Sequence, residues 1–139
     1  MFRIVRTKDE LADAFSIRKE VFVEEQHIPI ENELDQFEEI CTHIIGYIDE
    51  QPFAVARIRA IDNQAKIERV AITKPYRKQG RGHTLMKYVE TIASEQGYTA
   101  IVLNAQYSAK DFYHNLGYQV SGEIFLEEGI QHIRMSKQL

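Results

Sequence analysis

The sequence predicts a single α/β domain built on a mixed sheet, and three observations carry that prediction. Apolar residues form strand-like runs between residues 43 and 73, separated by short polar turns. Beyond residue 84 they recur at three- and four-residue intervals, as one face of a helix requires. Between the two patterns a strand runs through a loop into a helix and on to a further strand, the unit that sets two strands parallel.

The elements follow in order. Phe2, Ile4 and Val5 make a short apolar start, and Thr7 with Glu10 has the spacing of a capping box at a helix N-terminus. Leu11, Ala14, Phe15, Val21 and Phe22 continue at helical spacing. From Glu24 to Glu39 the chain is acidic and less periodic, and reads as a loop with a short helical piece. Residues 43–48 and 53–61 read as strands around a turn at Asp49, Glu50, Gln51 and Pro52, which predicts a β-hairpin. A second turn at Asp62, Asn63 and Gln64 leads to a third antiparallel strand, 66–73. Pro29, Pro52 and Pro75 are all expected in loops or turns.

Leu85, Met86, Val89, Ile92 and Ala93 then share a helix face, with Gly97 suited to its left-handed C-terminal cap. Ile101, Val102 and Leu103 read as a short buried strand. Ser108 with Asp111 is expected to open another helix, which carries Phe112 and Leu116 and stops at Gly117. Two last strands are expected at 118–120 and 132–136, giving the order β-α-β-β-β-α-β-α-β-β.

Composition narrows the class. At 139 residues, one domain spanning 1–139 is the expectation, and no linker or repeat suggests a boundary. The chain is 44% hydrophobic and 27% charged, which suits a soluble globular protein. Seventeen Lys plus Arg against twenty-one Asp plus Glu gives a net charge of −4, which disfavours a nucleic-acid-binding role. No apolar run is long enough to cross a bilayer, and the first residues lack the pattern of a signal peptide, so a cytoplasmic location without membrane attachment is expected. The five histidines have no metal-ligand spacing, and the lone Cys41 has no neighbour in sequence that would activate its thiol, so no metal is expected.

The segment from Thr73 to Thr84 carries the chemistry. Backbone amides at a helix N-terminus have no internal partners and sit at the positive end of the helix dipole. A glycine-containing loop there can cradle phosphate oxygens, and Arg77, Lys78 and Arg81 add positive charge to an acidic protein. His83-Thr84 after Gly82 does not supply the Lys-Ser/Thr pair of a P-loop, and Leu85 stands where a dinucleotide fingerprint needs its third glycine. What remains is Arg77-Lys78-Gln79-Gly80-Arg81-Gly82, an Arg-x-x-Gly-x-Gly pattern.

In this setting the pattern resembles the acyl-CoA-binding motif of the GNAT superfamily of N-acyltransferases, and the resemblance runs over essentially the whole chain. Val70-Ala71-Ile72 resembles the strand whose backbone bonds the pantetheine arm. Arg77, Lys78, Gln79, Gly80, Arg81, Gly82, His83 and Thr84 resemble the pyrophosphate cradle. Leu103-Asn104-Ala105 resembles the end of the next strand, and the run from Phe112 to Tyr118 the helix-to-strand signature. The run from Ile17 to Gln26, with Glu33-Leu34-Asp35, is similar to the small bacterial ElaA-like branch.

The resemblance implies a central, mostly antiparallel sheet with flanking helices and a parallel strand pair, containing Val70 and Ile101, that splays apart. It implies acetyl-CoA as co-substrate and direct attack by a small-molecule or peptide amine, without a covalent enzyme intermediate. Tyr113 stands where family members commonly place the general acid. Asn104 is expected to bond pantetheine or the tyrosine. For the base, Glu68 lies two residues before Val70, and strand alternation would point both to one face. The position four residues before Val70, glutamate in some relatives, is Lys66. A water relay to Glu25, Glu33 or Asp35 is the alternative. His43 and His132 could face the acceptor pocket, though ordinary strand histidines are commoner. The acidic stretch 24–39 would favour a cationic acceptor. A homodimer is expected by analogy with related domains, and a non-catalytic acyl-CoA sensor is the rival reading.

Overall fold

The computed structural model describes all of residues 1–139. Seven strands form one sheet in the order β1-β2-β3-β4-β5-β7-β6. Its strands are β1 (Phe2–Ile4), β2 (Thr42–Ile48), β3 (Gln51–Ile61), β4 (Gln64–Ile72), β5 (Ala100–Gln106), β6 (Gln119–Glu127) and β7 (Ile130–Gln138). Every neighbouring pair is antiparallel except β4 and β5. That exception follows from the crossover helix α3 (Arg81–Glu95), which returns the chain to the same end of the sheet.

Helix α1 (Lys8–Arg18) covers one face, where Ala14 and Ile17 pack with Ile45, Val55 and Ala71. The other face carries the larger core, with Leu85, Met86 and Val89 of α3 set against Phe53, Ala54 and Ile67. The capping box at α1 is present: the Thr7 hydroxyl accepts from the Glu10 amide at 3.1 Å, and the Glu10 carboxylate accepts from the Thr7 amide at 3.2 Å. Thr7→Ala is therefore expected to cost ~1 kcal/mol, read as a lower urea midpoint at unchanged slope.

After Arg18 the helix widens into a π-helical stretch over Lys19–Glu25 before the short α2 (Ile30–Glu33). Periodicity alone predicts no such widening. It brings Phe22 and Gln26 to the wall of the cavity described below, and π-turns are frequent at functional sites.

Three expectations about local structure need correction. The β2–β3 turn has two residues, Asp49 and Glu50, with φ of 50° and 65°. Pro52 lies inside β3, opposite Tyr47, where a bulge between Gly46 and Tyr47 already interrupts the ladder. Ser108 does not cap the next helix. A 3₁₀ turn over Tyr107–Ala109 leads into α4 (Lys110–Asn115), and the Lys110 amide donates to the Tyr107 carbonyl instead. Finally, β6 and β7 are much longer than expected. β6 is an edge strand exposed along its whole length, so it lacks the one-sided alternation that marks a half-buried strand. The two helix stops are where expected: Gly97 and Gly117 take φ of 92° and 96°.

Candidate active site

The sheet opens between β4 and β5. Their pairing covers only Ala65↔Ile101, Lys66↔Val102 and Ile67↔Leu103, so the backbone edges beyond Ile67 and Leu103 face each other without a ladder. The cause lies in β4. Arg69 adopts a left-handed φ of 56°, and the register against β3 slips so that Val55 faces Ala71 while Arg57 faces Glu68. This is a β-bulge with its additional residue on β4, which bends the strand away from its neighbour.

The bulge overturns the alternation argument for Glu68. Val70 packs with Ile67 and Ile72 against the α3 core, whereas Glu68 points to the opposite face with Arg57. There its carboxylate accepts from Arg57 at 2.8 Å and from Arg59 at 2.9 Å. Burial alone would raise its pKa, but the Arg59 and Arg57 bonds outweigh burial and hold it at about 2. A carboxylate so stabilised is a poor proton acceptor, and Glu68 is instead a structural anion.

Glu68 belongs to a buried ionic network that fixes the acidic segment. Arg18, 0% exposed, donates to Glu33 at 2.7 Å and to Glu38 at 2.7 and 2.8 Å. Arg57, 1% exposed, reaches Asp35 at 2.8 and 2.9 Å as well as Glu38 and Glu68. Burial would also raise Asp35, but Arg57 and the Phe37 amide hold it at about 2. Glu33, Asp35 and Glu38 are thus neutralised from within, which weakens the field expected to attract a cationic acceptor. His43 serves the same scaffold, bonding the Glu38 carbonyl at 2.7 Å and packing edge-on to Phe15. Cys41 is half-buried, and desolvation pushes its thiol pKa up.

Acid should dismantle this network. Asp35 and Glu68 have ordinary values of 3.8 and 4.5 against about 2 here. Depressed folded values give stability that is complete above the unfolded pKa and is lost as pH falls through the folded one. Stability is therefore expected to hold above pH ~5 and fall between pH ~4.5 and ~2, by up to ~1.4 kcal/mol per pH unit from each group. Urea titrations at pH 6, 4 and 3 would check this, and a midpoint that does not move would contradict it.

The loop before α3 supplies the anion site. The amides of residues 78–83 make no backbone hydrogen bond within the chain. Thr84 is the exception to the expected cradle, because its amide and hydroxyl both donate to the Gly80 carbonyl at 3.2 Å. The two glycines serve different needs. Gly80 has φ of 76° as the residue that precedes and caps α3, while a Cβ on Gly82 would stand 3.0 Å from the Phe112 ring. Gly82 thus lets α3 approach α4 closely.

The loop cations also differ from expectation. Arg77 is turned away from the amides: it grips Glu25 with two bonds of 2.7 Å, and its Nε donates to the Ile72 carbonyl at 2.7 Å. It ties the π-helical stretch to the end of β4. Arg81 lies over the Tyr76 ring and donates to the Gln79 side chain. Lys78 is exposed.

A cavity of about 260 Å³ fills the gap beside the bulge. Val70, Asn104 and Tyr113 line it, as do Glu33, Glu68 and Arg69. Its outer wall is the β6–β7 hairpin, with Glu127, Glu128 and His132. Tyr113 is 7% exposed, its hydroxyl makes no hydrogen bond within the chain, and burial pushes its pKa well above that of a free phenol. It is therefore a protonated donor at neutral pH. Glu25 and Asp35 do not line the cavity, whereas Glu33 does, locked to Arg18. The hairpin carboxylates are the groups that sequence reasoning missed. The predicted last strands stop short of the turn, and only the long β6 carries Glu127 to the cavity.

A mixed sheet split beside a row of free amides is the architecture of an acyl-CoA-dependent N-acyltransferase. The chain belongs to the GNAT acetyltransferase family, with residues 7–139 matching the Acetyltransferase (GNAT) domain. It is 41% identical over 135 residues to the uncharacterized N-acetyltransferase YjcF of Bacillus subtilis, covering 96% of each protein. It is 30% identical over 135 residues to ElaA of Escherichia coli, covering 94% of this chain and 88% of ElaA, so the ElaA-like placement holds. Among solved structures, an acyl-CoA N-acyltransferase from Pseudomonas aeruginosa superposes with a TM-score of 0.91 at 29% identity, covering 99% of this chain and 98% of that one. No helix is long and apolar enough to cross a membrane.

Proposed function

We propose that the protein moves an acetyl group from acetyl-CoA to a primary amine by direct attack, with Tyr113 as general acid. The observation that carries this reading is the placement of the buried Tyr113 in the gap between β4 and β5. The free amides of 78–83 suit a diphosphate, and the unpaired edges of Val70, Ala71, Ile72 and Asn104 suit the amide-rich pantetheine arm. The thioester then lies in the cavity. The acceptor nitrogen forms the new C–N bond, the C–S bond breaks, and Tyr113 protonates the departing sulfur.

The acceptor comes from the hairpin side. Glu127 is 58% exposed there, and Glu128 is also exposed, accepting only a 3.3 Å bond from Asn32. Glu25, Glu33, Asp35 and Glu38 are paired to arginines, whereas these two line the cavity without an arginine partner and supply charge there that favours a cationic amine.

Two measurements test the reading. Acetyl-CoA at ~100 times its dissociation constant should add ~2.7 kcal/mol of stability in a thermal-shift comparison with longer acyl-CoAs, ATP and NAD. Free thiol should then be released when a panel of primary amines is added. Stabilisation by acetyl-CoA without release across a broad panel would instead make the protein an acyl-CoA sensor, and no stabilisation would end both readings.

A further inference from the structure

Deepening the acetyl-transfer reading, on which this rests, we infer that His132 is the general base that takes the proton from the acceptor ammonium. The need is quantitative. An amine with a reference pKa of ~10.4 is about 0.04% neutral at pH 7, so a base in contact with it matters.

The cavity leaves few groups for the task. Glu68 is held between Arg57 and Arg59, and Glu33 lies 3% exposed with one oxygen 2.7 Å from Arg18 and 3.2 Å from Arg69. Lys66 and Arg69 are cations, and Lys66 stands 3.5 Å from Glu68. Tyr113 is kept protonated by burial. Glu127 and Glu128 are exposed carboxylates on the outer wall, suited to attracting a cation.

His132 differs from all of these. It sits on β7 opposite Gln106, lines the cavity and is 8% exposed. Its ring stacks on Phe125 at 5.7 Å, which fixes its plane. Its Nδ1 lies 2.8 Å from the Ile130 carbonyl. A carbonyl only accepts, so Nδ1 carries the hydrogen and Nε2 of the neutral ring keeps a free lone pair. Nε2 makes no hydrogen bond within the chain, and the Glu127 carboxylate stands 3.8 Å from it, placed to stabilise the imidazolium that forms.

The proton count closes. The ammonium gives one proton to Nε2, and the neutral nitrogen attacks the thioester carbonyl. As the C–S bond breaks, sulfur takes the Tyr113 proton, and the nitrogen's second proton restores the phenol. The imidazolium releases its proton past Glu127 to solvent, so the reaction yields amide, free thiol and one proton.

The test compares His132→Gln with the native chain, using acetyl-CoA and a primary alkylamine. At pH 7 the variant should lose 10²- to 10⁴-fold in kcat/KM with acetyl-CoA binding unchanged. Its rate should then climb about tenfold per pH unit as the amine deprotonates unaided, closing the gap towards pH 9. A variant that keeps the native rate and profile, or one depressed equally at every pH, overturns the assignment to His132 alone. No thiol release by the native chain brings down the transfer reading and this inference together. A second readout needs no turnover: nitrogen-15 NMR of the native protein should show the neutral His132 ring protonated on Nδ1. Protonation on Nε2 would refute the role.

Discussion

Tyr113→Phe is expected to lower turnover at saturating acceptor by 10²- to 10⁴-fold, the range a positioned general acid supplies, while acetyl-CoA binds as before. The split between the two measurements is what identifies the role. The hydroxyl has no partner in the chain, so its removal breaks no fold-stabilising bond, and the ring contacts with Phe112 and Tyr118 are kept. The departing thiolate, with a thiol pKa of ~8.5, is the group that loses a proton source. Equal kcat in the two proteins would mean that sulfur is protonated by solvent, and the tyrosine would then be a packing residue.

The largest effect on stability is expected at Arg57. Its guanidinium, 1% exposed, joins three carboxylates from two segments: Asp35 and Glu38 of the acidic stretch, and Glu68 of β4. Arg57→Ala leaves these anions facing one another in a poorly solvated interior, and removing one partner of a buried pair costs ~3–5 kcal/mol. Against a total stability of roughly 5–15 kcal/mol, that loss brings the chain close to unfolding. A smaller loss is expected for Arg57→Lys, which keeps the charge but lacks the planar fork of donors. Urea denaturation of both variants measures the difference, and an alanine variant within ~1 kcal/mol of native would show that the carboxylates find other partners.

Much of this fold was legible in the sequence because its signals are local. The capping box at Thr7 and Glu10, the strand patterns of β2 to β4, and the stops at Gly97 and Gly117 each need only a few neighbouring residues. So does the loop before α3, where glycines and a helix start announce free amides. What stayed hidden depends on distant partners or on an exception to a local rule. Nothing near Arg77 announces Glu25, 52 positions away, which claims its guanidinium. Arg69 takes a left-handed backbone without being glycine, so the bulge that sends Glu68 and Val70 to opposite faces left no mark. His132 reads as one strand histidine among others until Gln106 and the hairpin tip are folded beside it.

The opening between β4 and β5 also bears on how the domain holds together. Three residue pairs join the half-sheet of β1 to β4 to that of β5, β7 and β6. A chain of amide groups lying in the gap would act as a removable strut, bracing two plates that otherwise lean apart. Amide exchange at residues 68–72 and 104–106 would then slow when the strut is in place, so the enzyme would be stiffest while loaded and loosest as it lets the spent carrier go.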